Sequence, residues 1–249
     1  MMLIGLLGGM SWESTAIYYR AMNVATRAAL GGHHSARILM HSVDFEPIQH
    51  LQHEGKWGQC ARILVDAAKS LKAGGASFLV IATNTMHKLA DEIEEGSGLP
   101  VLHIADPTGE AIVRAGYKKV GLLATRFTME ERFYRHRLES RFHLDVAVPD
   151  EDERADIHRI IYDELCLGTV SEVSAARFRQ VIDHMKWAGC EAVILGCTEI
   201  SMLVSADTAA LPVFDTTALH AQAAVALSLQ GELLGLKTGR AGPGAGKRG

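Results

Sequence analysis

The chain has 249 residues, 48% of them hydrophobic, and a formal net charge of −4. That length buries the core of one large domain or two small ones, and the charge balance offers no basic face for nucleic acid. No apolar run approaches the ~18 residues of a membrane span, and the four cysteines (Cys60, Cys166, Cys190, Cys197) show neither a CxxC pair nor metal-ligand spacing, so they read as free thiols of a reducing, cytoplasmic compartment.

Short apolar runs alternate with longer amphipathic stretches along the chain. Met1–Gly9 has no basic segment ahead of its apolar residues and reads as a first strand, Leu3–Leu7, rather than a signal peptide. Gly8-Gly9 makes a tight strand-to-helix turn that would bring the backbone N–H groups of Met10 and Ser11 to a ligand. A helix over Tyr18–Leu30, a strand Arg37–His41, a helix Trp57–Lys72 and a strand Phe78–Ile81 follow. Thr83-Asn84 then stands where an N-cap would start a helix over Met86–Glu95. Further strands are expected at Pro100–Ile104, Val120–Leu123, Leu144–Val148, Ala192–Leu195 and Pro212–Phe214, with helices over Asp106–Ala115, Glu130–Phe142 and Ala175–Ala188. Asp150–Asp156 reads as a solvated helix start. The last residues, Lys237–Gly249, are Gly-rich and basic and are expected to be disordered.

Strand–helix alternation of this kind predicts an α/β fold with largely parallel sheets. The order also repeats. Lys72–Thr83 (KAGGASFLVIAT) lies over Lys186–Cys197 (KWAGCEAVILGC) at a separation of 114 positions, Ile4–Leu7 over Val120–Leu123 at 116, and Pro100–Leu102 over Pro212–Phe214 at 112. We therefore expect two pseudo-symmetric α/β lobes, residues 1–105 and 106–220, closed by a helix over 221–236, with a single merged sheet as the alternative. Ligands in parallel sheets sit beyond the carboxyl ends of the strands, which here is the cleft between the lobes.

The repeat pairs Thr83 with Cys197. Each ends an apolar strand and begins a polar tripeptide, Thr83-Asn84-Thr85 and Cys197-Thr198-Glu199. Taken alone, Thr83 reads as a helix cap and Cys197 as a small core residue. As a facing pair they suit a two-base proton transfer, in which one group takes a proton from one face of a carbon and the other returns one to the opposite face. A helix start after Cys197 would lower its thiol pKa from ~8.5, and N–H groups at both tips would hold a carboxylate.

These motifs resemble the aspartate/glutamate racemase family, the pyridoxal-phosphate-independent amino-acid racemases. The resemblance runs from Ile4 to about Ala224. It is carried by Gly5–Thr15 (GLLGGMSWEST), Thr83–His87 (TNTMH), Gly121–Thr125 (GLLAT) with Thr128, Gly196–Ile200 (GCTEI) and Phe214–Thr216 (FDT). It implies a cofactor-independent isomerase, without metal, acting on a small amino acid, and a homodimer. It also implies Thr83 and Cys197 as the catalytic pair, with Met10, Ser11, Asn84, Thr85, Thr125, Thr128, Thr198 and Glu199 around the substrate. Members of the family usually carry cysteine at both tips. Thr83 replaces the first, and an aliphatic hydroxyl is a far poorer base than a thiol, at ~1.4 kcal/mol per pKa unit. In two-cysteine relatives the second-half cysteine serves the L face, so the expected direction is abstraction by Cys197 from L-amino acids and reprotonation through Thr83. Glu199 would accept from the substrate ammonium or hold the surroundings of Cys197.

Side-chain recognition is expected from Gln52 and Glu164, at positions where aspartate racemases seat basic residues. Neither is a cation, which leaves open a neutral polar substrate such as homoserine or glutamine, or broad specificity. A related decarboxylase or isomerase with one tip cysteine, and a non-catalytic amino-acid-binding protein that has lost one base, are the alternatives.

Overall fold

In the computed structural model the described residues are 1–238, with side chains described through residue 230. The expected disordered tail, 237–249, lies outside them but for its first two positions. In chain order the elements are β1 (Ile4–Gly8), α1 (Trp12–Leu30), β2 (Ile38–Ser42), α2 (Phe45–His53), α3 (Trp57–Ala73), β3 (Phe78–Ile81), α4 (Ala90–Ser97) and α5 (Ala105–Ala115). They continue with β4 (Lys119–Ala124), α6 (Arg126–Glu130), α7 (Arg132–Phe142), β5 (Asp145–Ala147), α8 (Glu151–Asp163), α9 (Glu172–Trp187), β6 (Ala192–Gly196), β7 (Val213–Asp215) and α10 (Thr216–Thr238). Single 3-10 turns cover Thr85–Leu89, Leu165–Leu167 and Thr198–Met202.

The strands form two separate parallel sheets, ordered β2-β1-β3 and β5-β4-β6-β7, so the merged-sheet alternative falls away. Repeat and topology agree: β4, β5 and β6 stand in the second sheet where β1, β2 and β3 stand in the first. The counterpart of β7 is the expected strand Pro100–Ile104. It is reduced to one parallel bridge between Val101 and Leu79, held by Leu79 N–H to Pro100 C=O at 2.8 Å and Leu102 N–H to Leu79 C=O at 3.0 Å. Ile104 already caps α5, so the chain turns helical before more ladder can form.

Strands β1, β3 and β6 are buried at every position, as parallel strands covered on both faces must be. One face of the first sheet packs Leu7, Leu79 and Ile81 on α2, α3 and α4. The other packs Ile4, Leu6, Phe78 and Val80 on Tyr18 and Met22 of α1 and on Ala221, Ala224 and Val225 of α10. The closing helix, expected over 221–236, thus begins at Thr216, as the direct continuation of β7, and completes the core of the first sheet. A third cluster, around Leu122, Ile194, Phe178 and Tyr134, fills both faces of the second sheet. Among the described residues no helix is long and apolar enough to cross a membrane.

Turn chemistry at the strand ends sets up the cleft. Gly9 has φ +95, and a Cβ there would lie 2.1 Å from the Val43 carbonyl oxygen, so only glycine fits. Its N–H donates to Thr15 Oγ1 at 2.8 Å, which pins the β1–α1 turn to the first turn of the helix. Gly196 closes β6 where a Cβ would lie 2.9 Å from that of Ala124, which lets β4 and β6 end side by side.

Candidate active site

Both sheets point the carboxyl ends of their inner strands at one small cavity. The β3 end supplies Thr83, Asn84 and Thr85, the β6 end Gly196, Cys197, Thr198 and Glu199, the β1–α1 turn Met10 and Ser14, and the β4 end Thr125. Helices add Phe45, Gln52, Ile161, Tyr162 and Cys166. Thr83 and Cys197, matched by the repeat, therefore reach the same space from different sheets.

Neither tip is a helix cap. The segment after Thr83 is the 3-10 turn Thr85–Leu89, with no side-chain cap from Asn84. Asn84 Nδ2 instead donates across the cleft to Thr216 Oγ1 at 3.0 Å, and Thr216 donates to the Leu195 carbonyl at 2.9 Å. The Thr83 carbonyl accepts from His87 Nδ1 at 2.8 Å, which fixes the tip backbone, and Thr83 lines the cavity. Thr85, Thr125 and Thr128 form a triangle of hydroxyls at 2.9, 3.3 and 3.2 Å that joins the two lobes. Thr125 is on the cavity wall and Thr128 is behind it.

Cys197 runs against expectation. A helix start was expected to lower its pKa; only the short 3-10 turn Thr198–Met202 follows, and the thiol is pushed well above its usual range by burial first, then by the negative charge of Glu199. The residue is half-buried on the cavity wall, and lost hydration disfavours its charged form. Glu199 is not a solvated helix-start residue but is buried at 2% exposure. Its Oε2 accepts from Cys197 Sγ at 3.0 Å, and its Oε1 accepts from Ser11 Oγ at 2.8 Å and Ser14 Oγ at 2.7 Å. A thiol beside an anchored carboxylate rests protonated, with the proton acceptor already in contact.

Ser11 is therefore not a wall residue; its hydroxyl points at Glu199. Gln52, buried at 3% exposure, is on the wall, accepting from Tyr162 OH at 3.3 Å and donating Nε2–H to Met86 Sδ at 3.4 Å. Glu164 must be corrected: it is no part of the wall, because its carboxylate is taken by Arg159 at 3.2 Å, Ser171 at 3.3 Å and Ser174 at 2.5 Å. Its neighbours Tyr162 and Cys166 face the cavity in its place. Sequence reasoning missed Ser14, Phe45, Ile161, Tyr162 and Cys166; of these only Ser14, three residues after Ser11 in a capping pattern, carried a signal. Among the described residues no Lys, Arg or His lines the cavity.

Comparison with known proteins gives the same frame. Residues 7–224 match the family described as Asp/Glu/Hydantoin racemase. A crystal structure of a candidate Asp/Glu racemase from Yersinia pestis is 52% identical, with a TM-score of 0.85 over 92% of this chain and 100% of that one. An aspartate racemase homologue from Pyrococcus horikoshii is 31% identical, with a TM-score of 0.79 over 92% and 100%. The broad specificity amino-acid racemase RacX of Bacillus subtilis is 21% identical over 91% of this chain and 98% of its own.

Proposed function

The chain belongs to the Asp/Glu/Hydantoin racemase family and is an isomerase, and from that premise we propose that it racemises a free amino acid by proton transfer between Cys197 and Thr83. The observation that carries the reading is the convergence of these two protic side chains, from matched strand ends, on one cavity. As the Cys197 sulfur takes the α-proton of an L-amino acid, its own proton passes to Glu199 Oε2, 3.0 Å away. Thr83 returns a proton to the opposite face and is itself reprotonated from water, and the hydroxide so formed takes the proton held by Glu199, which restores the starting state. Hydroxyl and N–H donors of Asn84, Thr85 and Thr198 hold the α-carboxylate. No cofactor is needed for these steps.

The pair is unequal. An alcohol is several pKa units harder to deprotonate than an ordinary thiol, each ~1.4 kcal/mol, and Cys197 has the Glu199 carboxylate in contact to take its proton, so abstraction from the D enantiomer is the slow direction. In heavy water the L enantiomer should lose its α-proton at least ~10-fold faster than the D enantiomer, and Thr83→Cys should raise exchange on the D form. Equal rates on both enantiomers in the wild type would overturn the directional reading.

A second reading concerns the substrate side chain. The relatives are named for aspartate and glutamate, but no described cation lines this cavity, while a carboxylate, Glu199, does. A second carboxylate on the substrate would meet no partner, and an unpaired buried charge is costly. The Gln52–Tyr162 pair suits a hydroxyl or amide. We therefore favour a neutral polar amino acid such as homoserine or glutamine over aspartate. Chiral chromatography of D product from L-homoserine, L-glutamine and L-aspartate tests this; a kcat/KM highest for L-aspartate would reverse it.

A further inference from the structure

The Glu199 carboxylate is where the two halves of the chain meet at the site. Ser11 and Ser14 come from the start of α1, in the first half; Cys197 and Glu199 come from the end of β6, in the second. Ser11 caps α1 by accepting from the Ser14 N–H at 3.3 Å, so the helix's first turn sets the spacing of the two hydroxyls. Both donate to Oε1, and Cys197 donates to Oε2. With no described cation on the wall, the negative charge of this buried pair is held by hydroxyl and thiol donors.

We propose that Ser14, together with Ser11, is a positioning residue for the base. The two hydroxyls occupy Oε1, turn Oε2 onto the Cys197 thiol, and stabilise the one negative charge that Cys197 and Glu199 share, a condition met only when the two halves of the chain are closed on each other. The inference rests on Cys197 as the base of the proposed reaction.

The other titratable groups facing the pair are Cys166 of the Leu165–Leu167 turn, with Sγ 4.0 Å from Oε1, Tyr162 of α8 and Tyr18 of α1. Burial pushes all three up, before any effect of neighbouring charge, so they are neutral around pH 7 and the shared charge stays on Cys197 and Glu199.

Removing a donor from an anionic pair raises the proton affinity of the pair as a whole. The test is the pH dependence of Cys197 alkylation by iodoacetamide, followed by mass spectrometry of the Cys197 peptide. Ser14→Ala should move the midpoint upward by about half a pH unit or more, a ~3-fold loss of thiolate at a given pH, and lower kcat with KM little changed. Ser14→Thr, which keeps the hydroxyl, should stay near the wild type. Ser14→Cys, a weaker donor, should fall between and serves if Ser14→Ala does not fold. A wild-type midpoint in Ser14→Ala or Ser14→Cys, or the same shift in Ser14→Thr, would overturn the proposal. Failure of wild-type enzyme to racemise any amino acid would instead sink the proton-transfer reading, and leaves the alkylation profile to decide the role of Ser14.

Discussion

Cys197 meets two opposing demands: it must lose a proton to act as a base, yet burial and Glu199 both hold that proton on sulfur. The contact at 3.0 Å resolves this only if Glu199 takes the proton as the sulfur takes another. Glu199→Gln separates the two effects. It removes the charge that raises the thiol, so Cys197 should alkylate at lower pH. It also removes the acceptor, so turnover should fall by ~10²-fold or more. Alkylation pH profiles and kcat on one preparation check both, and a rise in kcat would make Glu199 a hindrance rather than a relay. The residues that the repeat makes legible lie within four positions of a strand end, Thr83 to Thr85 and Cys197 to Glu199. A parallel strand fixes where its carboxyl end points, so the repeat alone brought them together. Phe45, Ile161, Tyr162 and Cys166 reach the cavity from helices and a 3-10 turn, where facing depends on docking. That is why the sequence points to Glu164 while Tyr162 and Cys166 face the cavity.

Turns and strand ends decide how the elements deliver those residues. The β1–α1 turn is the tightest of them: Gly9, at φ +95 with the Val43 backbone where a Cβ would go, presents Ser11 and Ser14 to Glu199. Gly9→Ala should cost about 1–3 kcal/mol from the backbone conformation alone, with more from the clash. A lower thermal midpoint together with lost activity is expected, and an unchanged melting curve would show that the turn can relax. At this scale the sequence was read well where periodicity was strong: Phe78–Ile81 and the helices over 57–72 and 106–115 fall within a residue of their observed bounds. It was read poorly where short elements follow each other closely. α2 has no counterpart in the sequence reading, α8 is anticipated only as a helix start at Asp150–Asp156, and the Pro100–Ile104 run pairs at one residue because α5 begins inside it. The offset of 114 carried more than any local pattern, since it pairs β3 with β6 and so predicts the topology of one sheet from the other.

The two halves are joined by more than the cavity. Lys88 pairs with Glu131 at 2.5 Å while lying 3.9 Å over the Trp57 ring, and Trp57 meets Phe127 edge-on at 5.3 Å. Behind the Thr83 tip, His87, His103 and His220 gather from three segments, with ring centroids 4.7 Å apart for His87–His103 and 5.6 Å for His87–His220. Their hydrogen bonds suit neutral rings. His220 donates from Nε2 to the Leu102 carbonyl at 2.7 Å and accepts at Nδ1 from Tyr18 OH at 2.8 Å. His103 Nδ1 accepts from the Ala105 N–H at 3.2 Å, and His87 Nδ1 donates to Thr83. Burial therefore lowers all three, His103 to about 3 and His220 to about 4, with His87 well below its usual value. An unfolded histidine titrates near ~6.5. Between that pH and the folded value the unfolded chain binds the extra proton, so stability is full above ~6.5 and falls as pH drops, by up to about 1.4 kcal/mol per unit for each such histidine. Urea midpoints from pH 7 to pH 5 should decline, and His103→Gln should flatten the decline relative to the wild type, separating it from carboxylate titration common to both. The cluster supports the Thr83 carbonyl on one side and the α10 anchor on the other, so acid should loosen the Thr83 tip and the closing helix together. Equal slopes in wild type and His103→Gln would remove His103 from that account.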